Sequence, residues 1–199
     1  MNIKFKLRIS IEFMTLSFLI LISTSNCFSQ SELIKAYEDK INKLDTSVYF
    51  NVQLHKTRYL TGGLNFLAIS ASRYYQNEKI STFIDTNRTF HRNGNLKHMQ
   101  IQDSIGLVYE IYQYDKSGQI TRHCQISRDI LPNSANSYAD LRDSYENYCK
   151  KYKNGKLIFE GKFIGAKTED GKHIWYDSDG KIKKEVIFDK GMIINNTQQ

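Results

Sequence analysis

The chain has 199 residues, 28 basic and 21 acidic side chains and a net charge of +7. That length is one domain, and the basic residues are too scattered to mark a groove that follows phosphates, so nucleic acid is disfavoured as a partner. A mild basic excess suits an acidic partner or an anionic surface instead.

The first element is a leader. Lys4, Lys6 and Arg8 precede the apolar run FMTLSFLILI from Phe13 to Ile22, and the small and polar stretch STSNCFSQ follows. These are the three parts of a secretory signal peptide. Ten residues of helix rise only about 15 Å, half of a bilayer core, which is too short for a permanent span. Ser29 and Cys27 suit the two small positions before a cut, so residues 1–29 are expected to be removed ahead of Gln30. The 170 residues left would carry +5. The alternative is lipid attachment at Cys27, which would tether the chain to a membrane, although Asn26 stands where a small residue is usual.

A helix is expected next, over SELIKAYEDKINKLD. Leu33, Tyr37, Ile41 and Leu44 fall on one side of it and Ser31 suits its N-cap. From Val48 the period changes to two. Val48, Phe50, Val52 and Leu54 alternate with polar residues as in a half-buried strand, Gly62-Gly63 marks a turn, and LNFLAISASRYY and EKISTFIDT read as the next strands. Pro132 is the single proline, so little interrupts the ladders.

From Phe90 a unit repeats: an aromatic, a few polar residues, a turn glycine and an aliphatic that opens the return strand. The units are FHRNGNLKHMQI, YDKSGQITRHCQI, YKNGKLIFEGKF and YDSDGKIKKEVIF, with glycines Gly94, Gly118, Gly155 and Gly180. The glycines lie 24, 37 and 25 residues apart, the long interval holding an insertion at about 127–147. Asn93-Gly94 and Asn154-Gly155 predict two-residue type I′ turns, in which both central residues need positive φ. Ser117-Gly118 and Asp179-Gly180 serve the same end less well.

Once Cys27 is removed, Cys124 and Cys149 remain. In an oxidising compartment they either form one bridge across the insertion, worth about 3 kcal/mol, or stay as two buried thiols.

Tyr152-Lys-Asn-Gly-Lys-Leu157 with Glu160 and Phe163 resembles the variant MORN repeat. So does Gly171-Lys-His-Ile-Trp-Tyr176 running into Asp179-Gly-Lys-Ile182, Glu185 and Phe188-Asp-Lys-Gly191. Residues 145–192 fit well and 88–127 loosely, with Asn95 and Gln119 where Lys is usual. The resemblance does not reach 30–87. It implies an open antiparallel sheet with one hairpin per repeat, and interaction rather than catalysis.

Motifs for chemistry are scarce. His55, His91, His98, His123 and His173 are scattered, no nucleophile elbow, phosphate loop or HExxH run is present, and no catalytic residue, metal ligand or cofactor is assigned. Glu110, Glu160 and Glu185 fall in strand-like segments and could align. The aromatics are numerous, 13 Tyr, 11 Phe and one Trp. Tyr112, Tyr114, Tyr152, Trp175 and Tyr176 are the candidate interface residues, since Tyr and Trp offer large contact area at low entropy cost.

The expected fold is therefore mainly β, an antiparallel meander of stacked hairpins over 48–199 behind one N-terminal amphipathic helix at 30–47. The expected function is an exported, non-enzymatic binding protein of the cell envelope with a protein partner, in its sharpest form an immunity or antitoxin-like protein. A passive envelope component contacting lipid or polysaccharide is the rival reading, and a hydrolase a more distant one. A membrane enters only through a lipidated Cys27.

Overall fold

The computed structural model describes residues 30–75, 77–127, 137–139, 145–165 and 167–198. The leader, its cut and Cys27 lie outside these, as does most of the insertion. The chain divides between Lys35 and Ala36, within the helix α1 (Gln30–Ile41). Glu32 in its first turn and Lys40 in its last complement the helix dipole.

Two expectations at this end are corrected. Ser31 lies inside α1 rather than capping it. The helix also stops at Ile41, four residues short of the predicted end, because the chain tightens: Lys43 N–H bonds Lys40 O and Leu44 N–H bonds Ile41 O. Asp45 then accepts from the Ser47 amide and hydroxyl, which delays the first strand past Val48 to Phe50.

The described strands are β1 (Phe50–Arg58), β2 (Leu64–Tyr75), β3 (Glu78–Phe90), β4 (Leu96–Gln102), β5 (Val108–Tyr114), β6 (Ile120–Ser127), β7 (Glu146–Lys153), β8 (Lys156–Ile164), β9 (Thr168–Tyr176), β10 (Ile182–Asp189) and β11 (Met192–Gln198). They form one 11-stranded sheet in chain order, and every adjacent pair is antiparallel. The meander of hairpins read from the sequence is the fold.

Among the fully described turns, two chemistries recur. At Asn154-Gly155 and Lys190-Gly191 both central residues have positive φ (51° and 75°, 46° and 89°), which is the type I′ turn. Asn93-Gly94 was expected to match, but only Gly94 is left-handed. There the chain makes a longer loop. Gly94 N–H bonds His91 O, His91 N–H bonds Asn95 O, and the glycine forms a bulge after a type I turn. The same pair of bonds recurs at Tyr59–Gly63, Asp103–Leu107, Asp115–Gln119 and Asp177–Lys181. In the last three the opening aspartate also ties the loop. Asp177 Oδ1 accepts from the amides of Asp179 at 2.8 Å and Lys181 at 2.9 Å, and Asp103 and Asp115 do the same.

Register places residues on two faces. One row runs Leu67, Arg88, Met99, Tyr112, His123, Lys150, Glu160, Ile174, Glu185 across β2 to β10. This is the helix face, because the Tyr37 hydroxyl donates to Thr86 O and Arg88 donates to the Tyr37 hydroxyl. Leu67, Ile69, Ile84 and Met99 are buried on this face. The row on the other face runs Asn87, Gln100, Ile111, Cys124, Cys149, Gly161, His173, Val186. There the large buried side chains belong to β6–β10, Cys124, Cys149, Phe159, His173, Val186 and Phe188, while Ala68, Ser72 and Asn87 are buried residues of β2 and β3. The large apolar burial thus changes face along the sheet.

Cys124 and Cys149 are direct register partners, 4.1 Å apart at Cα, and they form a disulfide. Such closeness is what a non-hydrogen-bonded antiparallel pair provides. Within the insertion, Tyr138 packs on Ile80, Ile105 and Leu107, and its hydroxyl donates to Ile105 O at 3.0 Å.

Candidate binding face

Strand alternation decides where the candidate aromatics go. Tyr112, Tyr114, Tyr152 and Tyr176 lie on the helix face, two residues from members of the first row or within it. Trp175, one residue from Tyr176, lies on the other face beside Phe159, with Lys184 Nζ 5.2 Å from its ring. The five predicted residues therefore do not form one surface. Tyr148, on β7, joins the helix-face group through its pairing with Gln125 and Lys162.

The helix-face tyrosines are organised by carboxylates. Tyr148 donates its hydroxyl to Glu160 Oε2 at 2.5 Å, and Tyr176 donates to the other oxygen, Oε1. Further along the sheet, Tyr112 donates to Glu110 Oε2 at 2.6 Å. The Tyr112 ring stacks on His123 at 4.4 Å with an interplanar angle of 6°, and lies 6.4 Å from Tyr114. Lys150 Nζ stands 5.9 Å from the Tyr148 ring. Burial, followed by the bonds to their carboxylates, pushes Tyr112 and Tyr148 above the usual phenol range. For Tyr176 the bond to Glu160 is the larger cause, and it is pushed up to about 12.

Glu160 responds in the opposite sense. Partial burial acts to raise its carboxyl, but the Tyr148 and Tyr176 hydroxyls and the Lys150 charge outweigh it and hold it below the usual range. It is ionised at neutral pH and has no proton to give as a general acid. Glu185 is likewise tied, to Lys172 at 2.7 Å, and β9 separates it from Glu160. The three strand glutamates thus serve the tyrosine and lysine rows and do not converge on a shared substrate position. What the face offers is oriented aromatic area, with hydroxyls fixed in direction and Tyr148 40% exposed.

His91 and His98 do not meet across their hairpin. His91 bonds Tyr114 O at 3.0 Å, while His98 pairs with Thr89 and Gln113. Among the described residues no three His, Cys, Asp or Glu are grouped to hold a metal ion, and no helix is long and apolar enough to cross a membrane.

His173 is the residue that sequence reasoning dismissed and the structure makes structural. It is 1% exposed, ringed by Phe159, Phe163, Trp175 and Phe188 with centroids 4.8–6.0 Å away, and bonded to Lys162 O at 2.6 Å. Gly161 opposite makes the room: a Cβ there would stand 2.8 Å from the imidazole.

The sheet is thus an open meander of hairpins with aromatic side chains on both faces. Residues 169–190, which span β9, β10 and the turn joining them, match the family model of the MORN repeat variant. This stretch is a MORN-type repeat unit by this match. It falls on the last of the four units read from the sequence. No curated protein matches the chain.

Proposed function

We propose that the chain is an exported envelope protein that binds a protein partner through the tyrosine-rich part of its helix face. The observation that carries this is the Tyr148–Glu160–Tyr176 cluster, where two hydroxyls are spent on one carboxylate and the rings are thereby fixed in place. Fixed tyrosines lose little entropy on binding, which is why they anchor interfaces. The basic, apolar-cored leader supports export. An immunity or antitoxin-like role is the sharpest form of this reading. The MORN repeat itself supports binding, to a protein or a membrane surface.

The test is site-specific photocrosslinking in cells that make the chain. A probe at Tyr152 should yield one discrete protein adduct, which Tyr148→Ala with Tyr176→Ala removes, while a probe at Lys56 yields none. Lipid-only adducts at Tyr152, or the same adduct from Lys56, would defeat the protein-partner reading. Mass spectrometry of the mature chain checks the leader: a start at Gln30 supports free export, and a diacylated Cys27 replaces it with a membrane tether.

A further inference from the structure

On the face away from α1, strands β1, β2 and β3 enclose an open pocket of about 520 Å³. It is independent of the tyrosine cluster, lying on the other face and on strands that the repeat resemblance does not reach. Its polar side chains arrive by strand alternation. Gln53 and His55 come from β1, Ser70 and Ser72 from β2, and Lys79 and Ser81 from β3.

The hydrogen bonding leaves donors to spare. Ser72 Oγ and Ser81 Oγ are 2.7 Å apart and share one hydrogen bond, so one of the two hydroxyl protons is not used in it. His55 Nε2 lies 2.7 Å from Ser70 Oγ, its ring held edge-on to Phe83 at 5.4 Å. Lys79 carries three N–H donors and its Nζ rests 5.3 Å from the Phe50 ring. The amides of Asn51 and Gln53 complete the rim. Among the described residues no Asp or Glu lines the pocket, and Glu78 beside Lys79 alternates to the other face.

The backbone supports a built site. Asn51 has φ 53° at a register shift between Phe50 and Gln53, a left-handed conformation that an unstrained strand would not hold. Such a bulge re-aims the side chains beside it, here those of β1 at the rim.

A pocket with a cation, hydroxyl and amide donors and no carboxylate is complementary to an acceptor-rich anion. We propose that it binds an oxyanion, the phosphate or carboxylate group of a small acidic ligand, with Lys79 as the charged contact and Ser72 and Ser81 as hydroxyl donors.

Titration of the isotopically labelled full-length protein by NMR tests this, with inorganic phosphate, glucuronate and glucose as probes at constant ionic strength. Saturable shifts centred on Ser70, Ser72 and Ser81 are expected with phosphate, glucuronate or both. Phosphate alone would assign a phosphoryl source and glucuronate alone an acidic sugar. Lys79→Ala should weaken the binding about tenfold, as expected for one charge-assisted contact, while Lys79→Arg restores most of it. Retained melting temperature in both variants shows that the fold is intact. The proposal fails if neither anion saturates, if glucose shifts the same residues equally, or if Lys79→Ala binds as well as the parent. Because no macromolecular partner is used, loss of the tyrosine-face reading would leave this result standing.

Discussion

At the scale of single residues, two glycines show how differently the same residue type can be required. Gly161 faces His173 and Phe159, and an added Cβ would meet imidazole and phenyl atoms at 2.8–2.9 Å. Gly161→Ala is expected to destabilise the fold by about 1–3 kcal/mol through overpacking. Gly180 meets nothing within 4 Å but has φ +81°, so Gly180→Ala should cost only the left-handed strain, roughly 1–2 kcal/mol. Denaturant midpoints of the two variants measure the difference. Gly180 was legible from its turn sequence. Gly161 was not, because the residue that needs it lies on the next strand.

His98 and His123 supply a pH dependence. Burial, foremost in both, lowers them from their usual 6.5, and for His123 the Glu110 charge offsets only part of this. The unfolded chain therefore takes up these protons first as pH falls. Their stabilising contribution is complete above about 6.5 and is lost as the pH falls through the folded values. The melting temperature should drop between pH 7.5 and 5, and His123→Phe should flatten part of that slope. An unchanged slope in this variant would show that His123 does not drive it.

At the scale of elements, the hairpin loops carry most of the local information. Asp115 and Asp177 are held below the usual carboxylate range, Asp115 chiefly by the Ser117 hydroxyl and Asp177 by the Lys181 amide. Asp177→Ala leaves two loop amides to water and should lower the melting temperature, while Asp177→Asn keeps an acceptor and most of the stability. Thermal melts of the pair decide it. These loops also explain a turn that the sequence reading passed over. Gly106 closes the β4–β5 hairpin midway between Gly94 and Gly118, so the period of about two dozen residues counts alternate turns. Asn93-Gly94 misled because an Asn-Gly pair suits either turn chemistry. Which one forms depends on how many residues the flanking strands leave between their last pair, Phe90 with Leu96 there and Lys153 with Lys156 at Asn154-Gly155.

At the scale of the whole molecule, β6 and β7 are consecutive in the sheet although the insertion separates them in the chain. The disulfide joins them across a direct register pair. With its cysteines 25 positions apart in the chain, its removal by Cys124→Ser with Cys149→Ser should cost about 3 kcal/mol through the unfolded chain. The double variant should keep the sheet's circular dichroism signature and unfold at lower denaturant. A midpoint equal to the parent's would mean that the bridge does not constrain the unfolded state. Tyr138 adds a second tie from this segment, onto the Ile80–Ile105–Leu107 cluster.

The sequence by itself determined the hairpins, the helix ahead of them and the pair of cysteines. These rest on local chemistry: period-two alternation, turn glycines and residues that favour loops act within a few positions of one another. The tertiary structure alone decided which aromatics share a surface. Trp175 and Tyr176 part to opposite faces, while Tyr148, Glu160 and Tyr176 converge from three strands. Register fixes such groupings, and it is set jointly by bulges, loop lengths and the pairing of every neighbouring strand. The same holds for the polar pocket, whose three strands come together only once β1, β2 and β3 are paired.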